Sequence, residues 1–275
     1  MLMFKKFILK IAILSGLSIL GFQGGVEAAD LHVVLVIDSY AQNLEIAMKC
    51  NYYMWLKEIQ EISDSTDLDI ISHIFIEDKA NADFLVELDK LKVNEDDVIL
   101  FYWAGHGYRT DSKDEMGNPW PSFSFDKDPC KGIDFLQLTL DLQKKNPRLL
   151  ISIADTCNNY IRPEFLAPHH INMARKGSGQ SELELRIKNN YKRLFCDARG
   201  IAMFAGSHPG QFSYAFVNLG NLFTISFLDA IQGEVRTTDE ISWELIGLKA
   251  YENLEKLEPP EEQTPLIEMS LRYEN

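Results

Sequence analysis

The chain has 275 residues, 46% hydrophobic and 25% charged, with a formal net charge of −14. That composition supplies one large core, and the acidic balance excludes a nucleic-acid binder, which needs clustered Lys and Arg to neutralise phosphate. It also argues against broad contact with anionic lipid, and fits either solubility or a cationic substrate.

Lys5, Lys6 and Lys10 precede an apolar run from Ile11 to Phe22, followed by Gly24-Gly25 and Val26-Glu27-Ala28-Ala29. A basic stretch, a short apolar run and a small-residue exit form a secretory signal pattern. Residues 1–29 are expected to be that signal, cleaved after Ala28 or Ala29, and residues 30–275 one domain. The run falls short of the ~20 apolar residues that span a bilayer, and an uncleaved membrane anchor is the alternative. Export permits disulfides, but Cys50, Cys130, Cys157 and Cys196 are scattered and form no CxxC, so no disulfide scaffold is expected.

Leu31–Ile37 is nearly continuous in apolar residues, as a strand buried on both faces requires. Leu44 to Ile59 has helical apolar spacing. Leu68–Ile76 is a second strand, Phe84 to Leu91 a short amphipathic helix, and Asp97–Trp103 a third strand. Gly105 to about Gly132 is expected as a loop rich in Asp, Gly, Pro and aromatic residues. Ile133–Lys144 is helical and Arg148–Ala154 a fourth strand. Asn158 to Arg193 is a long polar stretch. Ile201–Gly206 is a fifth strand, Gly220–Ile231 and Glu240–Leu257 are helices, and Leu266–Leu271 is a sixth strand. This alternation predicts an α/β fold with a mostly parallel sheet and its site beyond the carboxyl ends of the strands.

The third strand runs into Ala104-Gly105-His106-Gly107 and the fourth into Asp155-Thr156-Cys157. Each delivers a reactive side chain to the same sheet edge. A thiol near its reference pKa of ~8.5 is mostly protonated at neutral pH. A nearby imidazole favours the thiolate and can later protonate a leaving amine. Glycines flanking His106 allow close approach of backbone and substrate, and the Gly107 and Cys157 amides can serve a developing oxyanion. Alone, such a His is usually a structural residue and such a Cys a small core residue; the pairing at matched strand ends is what carries the reading.

An apolar strand ending in GHG followed by one ending in D-x-C resembles the caspase-like cysteine peptidases, most closely the metacaspases and their bacterial relatives. Gln211-Phe212-Ser213, Leu222-Phe223-Thr224 and Gln263-Thr264-Pro265 are also similar to that family. The resemblance runs from Leu31 to the C-terminus. It implies a caspase-like fold of about six strands with helices on both faces and peptide-bond hydrolysis without a cofactor. Cys157 is then the nucleophile, His106 its proton carrier, and the Gly107 and Cys157 amides the oxyanion hole. Asp155, with Gln211 and Ser213, is the expected substrate-binding set, and Asp155 would select a basic P1 residue.

The chain departs from the family where Asn158-Asn159-Tyr160 follows the nucleophile, where Asn51-Tyr52 stands for an Asn-Asp pair, and where Ala215 replaces an acid. The rival reading is therefore a catalytically silent caspase-like binding or regulatory module; an esterase or transpeptidase using the same dyad is a third. Some metacaspases need calcium, and the acids Asp111, Asp114, Glu115, Asp126 and Asp128 offer hard oxygen ligands, but no EF-hand spacing is present. His169-His170 with His208 show no recurring zinc spacing, so no metal is expected. The partner is a protein or peptide substrate, and self-cleavage is expected after Arg175, Lys176, Lys192 or Arg193 in an exposed loop.

Overall fold

The computed structural model describes residues 29–41, 43–125, 128–160 and 181–274, without the side chains of 128–131 and 181. The expected signal up to residue 28, His169-His170, Arg175-Lys176, and the side chains of Asp126, Asp128 and Cys130 lie outside the described residues.

In chain order the elements are β1 (Asp30–Ile37), α1 (Glu45–Ser65), β2 (Asp69–Ile76), α2 (Phe84–Lys90), β3 (Val98–Ala104), β4 (His106–Tyr108), α3 (Asp111–Glu115), β5 (Ser122–Phe125) and β6 (Asp128–Asp134). There follow α4 (Phe135–Gln143), β7 (Leu149–Asp155), α5 (Ser181–Lys192), β8 (Ala198–Ala205), β9 (Ala215–Phe216), β10 (Gly220–Asn221), α6 (Leu222–Thr237), α7 (Trp243–Lys256) and β11 (Leu266–Tyr273). The main sheet has the order β2-β1-β3-β7-β8-β11. Its first five strands are parallel, and β11 runs antiparallel to β8 at the edge. The continuous apolar runs explain the centre of the sheet: every residue of β3 and β7 is buried. At the β11 edge the pattern alternates between half-buried and exposed, as one covered face requires.

Side-chain alternation divides the core. Leu35, Tyr102, Ile153 and Phe204 point to one face, where Trp55 of α1, Tyr191 of α5, Phe227 of α6 and Trp243 of α7 cover them. Val34, Phe101, Trp103 and Leu150 point to the other, against Phe84 of α2, Phe135 of α4, and Phe123 and Phe125 of β5.

Two stretches differ from the sequence reading. The expected loop from Gly105 to Gly132 holds a three-stranded antiparallel sheet, β4-β5-β6, and the short helix α3. These strands are only three to seven residues long and sit among turn-forming residues. Their one periodic signal is Ser122-Phe123-Ser124-Phe125, whose two phenylalanines are buried. The polar stretch contains α5, whose charged sequence SELELRIKNNYK hides its buried Asn190 and Tyr191. The expected cleavage sites Lys192 and Arg193 are therefore not in an exposed loop. Lys192 ends α5 and bonds Asp67 at 2.6 Å, and Arg193 Nε donates to Ile241 O at 3.0 Å. A helical, bonded backbone is a poor protease substrate.

Candidate active site

β3 and β7 pair in parallel with Ala104 opposite Asp155. His106 and Cys157 each lie two residues beyond that pair, so the register carries both to the carboxyl edge of the sheet. There the chain leaves β3 as β4, which pairs with β5 so that His106 stands opposite Ser124. His106 is half-buried at the start of this hairpin. A Cβ on Gly107 would lie 2.2 Å from Thr156 Oγ1 and 2.8 Å from Cys157 O. Only glycine permits that approach of β4 to the Thr156 side chain and the Cys157 carbonyl. Thr156 Oγ1 donates to Gly105 O at 2.8 Å and fastens the two strand ends together.

Cys157 is 6% exposed. Ser213 N donates to its Sγ at 3.4 Å, and Sγ donates to Ser213 O at 3.7 Å. Burial pushes the thiol up to about 11; the Ser213 amide pulls the other way, and the Asp155 charge adds to the rise. The resting sulfur is consequently a neutral thiol at neutral pH.

Asp155 is fully buried. Ser213 Oγ donates to its Oδ1 at 2.8 Å, while Thr224 N, at 2.8 Å, and Thr224 Oγ1 donate to its Oδ2. Tyr102 OH stands 2.7 Å from Thr224 Oγ1. Burial raises the carboxyl above its ordinary pKa, and the Thr224, Ser213 and Asn221 bonds only partly offset this. Asn221 Nδ2 reaches Asp155 O at 3.4 Å, and Asn51 Oδ1 accepts from Asn221 N at 2.9 Å. Asn51, half of the pair standing for the family's Asn-Asp, thus braces the Asp155 network from α1.

Ser213 joins Cys157 and Asp155, touching the first through its main chain and the second through its hydroxyl. Gln211 acts one step away: its carbonyl accepts from Asn158 N at 3.0 Å, and its Oε1 accepts from Thr264 N at 2.8 Å. Sequence reasoning assigned no role to Thr156, Asn221, Thr224 or Gln263. Gln263 Nε2 donates to Gly206 O at 2.8 Å and to Ser213 Oγ at 3.0 Å, and its Oε1 accepts from Tyr214 N at 3.0 Å. Thr224 and Gln263 stood in family-like triplets, which was their one signal; Tyr102 read as plain core.

The acids Asp111, Asp114 and Glu115 lie on α3, where Asp114 is engaged by Arg109 and by the Tyr160 hydroxyl. They gather no metal-ligand set among the described residues. Among those residues no helix is long and apolar enough to cross a membrane.

The family model of the caspase domain matches residues 55–272, a span that contains both His106 and Cys157. Among solved structures, a caspase-1 from Spodoptera frugiperda is 9% identical, with a TM-score of 0.48 over 88% of this chain and 86% of that one. No curated protein matches the chain.

Proposed function

The chain belongs to the caspase-domain family, and from that premise we propose that it is an endopeptidase working through Cys157 and His106, cleaving after a basic P1 residue. Family membership makes it a cysteine-type peptidase domain of caspase-like fold; the dyad and the specificity are our reading of the residues. The observation that carries it is the register that brings His106 and Cys157 to one sheet edge, with Gly107 laid against the backbone at Cys157.

In this mechanism His106 takes the Cys157 proton as the sulfur bonds to the scissile carbonyl carbon. The carbonyl electron pair moves onto oxygen, where the Gly107 and Cys157 amides receive it. Collapse of this intermediate breaks the C–N bond, and His106 returns the proton to the leaving amine. Water then hydrolyses the thioester by the same route. With the free thiol pushed up to about 11, the reaction relies on proton transfer to His106 as substrate binds rather than on a standing thiolate. The basic P1 preference is supported by Asp155, a carboxyl group two residues before Cys157 that would attract a cation.

The burial of Cys157 and the bonded state of Asp155 are what favour the silent-module reading. A mixed peptide library separates the two. Hydrolysis after Arg or Lys, lost in Cys157→Ala, supports the peptidase. Preference for uncharged or acidic P1 removes the role of Asp155 but keeps the dyad. No hydrolysis of any sequence favours the binding module. We further propose export: secreted protein should begin at Ala29 or Asp30 by intact mass, and retention of residues 1–28 would make the segment an anchor. The remaining self-cleavage sites, Arg175 and Lys176, should be cut by the wild type and not by Cys157→Ala.

A further inference from the structure

A second polar cluster lies at the opposite, amino-terminal end of the sheet. Asp30 and His32 open β1, and Asp97 immediately precedes β3. The three side chains bring one ligand atom each to within 4.8 Å of one another. His32 and Asp97 are 3% and 2% exposed, so water competes little with a ligand there. Asp97 is held in place by its neighbours: its Oδ1 accepts from Asp30 N at 2.9 Å and its Oδ2 from Asn94 N at 2.6 Å. The Asp30 carboxylate makes no hydrogen bond or ion pair among the described residues.

A buried His–Asp hydrogen bond explains two of these residues but gives the Asp30 carboxylate no role. His32 Nε2 stands 3.3 Å from Asp97 Oδ2. Two donors on a tetrahedral zinc, each about 2.0–2.1 Å from the metal, stand about 3.3–3.4 Å apart. His32 Nδ1 is also buried with no hydrogen-bond partner, and so is Nε2 of His73, whose ring stacks on His32 with centroids 5.9 Å apart.

We propose that Asp30, His32 and Asp97 form a site for one divalent cation of the zinc class. The ligand set is one imidazole and two carboxylates, which suits zinc, with water filling the fourth position. The cation would join the first residues of β1 to the turn before β3 and tighten the amino-terminal end of the sheet. It lies at the far end of the strands from His106 and Cys157 and takes no part in the reaction.

The test is titration of metal-free protein with zinc chloride, by calorimetry and by thermal melting. It is run in Cys157→Ala so that the dyad thiol cannot capture the metal. Asp30→Asn is the principal variant because its carboxylate has no other role in the fold; His32→Gln is the second. The expected result is one saturable zinc per chain, a rise in Tm with zinc, and at least a tenfold loss of affinity in Asp30→Asn. Absence of saturable binding overturns the proposal, as does binding that Asp30→Asn and His32→Gln both leave unchanged. If His32→Gln does not fold, Asp30→Asn alone decides.

Discussion

The two faces of the central sheet come from one set of strands yet are built differently. Both carry rings, but the one facing β5 is packed largely by them: Trp103 stacks on Phe123 with centroids 4.5 Å apart, and Phe84, Phe101, Phe125 and Phe135 surround them. The other face buries acids. Glu58 of α1 accepts from Tyr191 OH at 2.7 Å and from Gln232 Nε2 at 2.8 Å, and Asp155 sits among Ser213, Thr224 and Asn221. The proposed dyad draws on both. Cys157 continues β7 past Asp155, while the hairpin carrying His106 is anchored by Phe123 on the aromatic face. Packing on one side thus holds the His106 hairpin in place, while hydrogen bonds on the other hold the Ser213 segment that touches Cys157.

The largest expected effect comes from breaking the aromatic side. Phe123→Ala removes a fully buried ring and should cost about 3–5 kcal/mol in urea unfolding. Its hydrolytic activity should fall further than its folded fraction, because the His106 hairpin loses its anchor. A cost below about 1 kcal/mol would show that the hairpin is held from elsewhere.

On the acid side, Glu58→Ala leaves the Tyr191 hydroxyl and the Gln232 amide buried without their acceptor, at a cost of about 2–3 kcal/mol. Glu58→Gln sharpens the point through pH. Burial raises the Glu58 carboxyl above its ordinary pKa despite the Gln232 and Tyr191 bonds. A group raised on folding contributes its stability below the unfolded value and loses it as pH rises through the folded one. The wild type should therefore lose stability relative to Glu58→Gln as pH rises from 4 to 8. A difference that does not change with pH would contradict the raised carboxyl.

The smallest expected effect on stability is at the junction of the two faces. Gly107→Ala forces a methyl group against Thr156 and the Cys157 carbonyl and should cost about 1–3 kcal/mol. Peptide hydrolysis should fall well beyond that loss of folded protein if, as proposed, the Gly107 and Cys157 amides are the oxyanion donors, because the same strain moves them. Activity at the wild-type level would separate β4 from the oxyanion hole.

Much of this architecture was legible because buried parallel strands announce themselves. Val98–Ala104 and Leu149–Asp155 are apolar almost throughout, and the residues just beyond them are the proposed dyad. The hairpin sheet escaped notice because its strands are short and its two buried phenylalanines stand among turn residues. Helix α5 was hidden by its charge. The supports of Asp155 were illegible for another reason: Thr224 and Asn221 are 69 and 66 residues from it in the chain, and only the folded sheet brings them together. The Asp30–His32–Asp97 cluster is likewise split by 65 residues between His32 and Asp97.

The central claim is that Cys157 is a nucleophile that depends on His106, although its own thiol is pushed up to about 11 by burial. The most direct measurement is labelling by a peptide carrying a thiol-reactive group and a P1 Arg, at pH 7, with the modified residue located by mass. The account predicts labelling at Cys157 in the wild type, lost in His106→Ala, while small thiol reagents still reach Cys50 and Cys196 equally in both proteins. Labelling of Cys157 that His106→Ala leaves unchanged, or peptide labelling at Cys196 in its place, would contradict it.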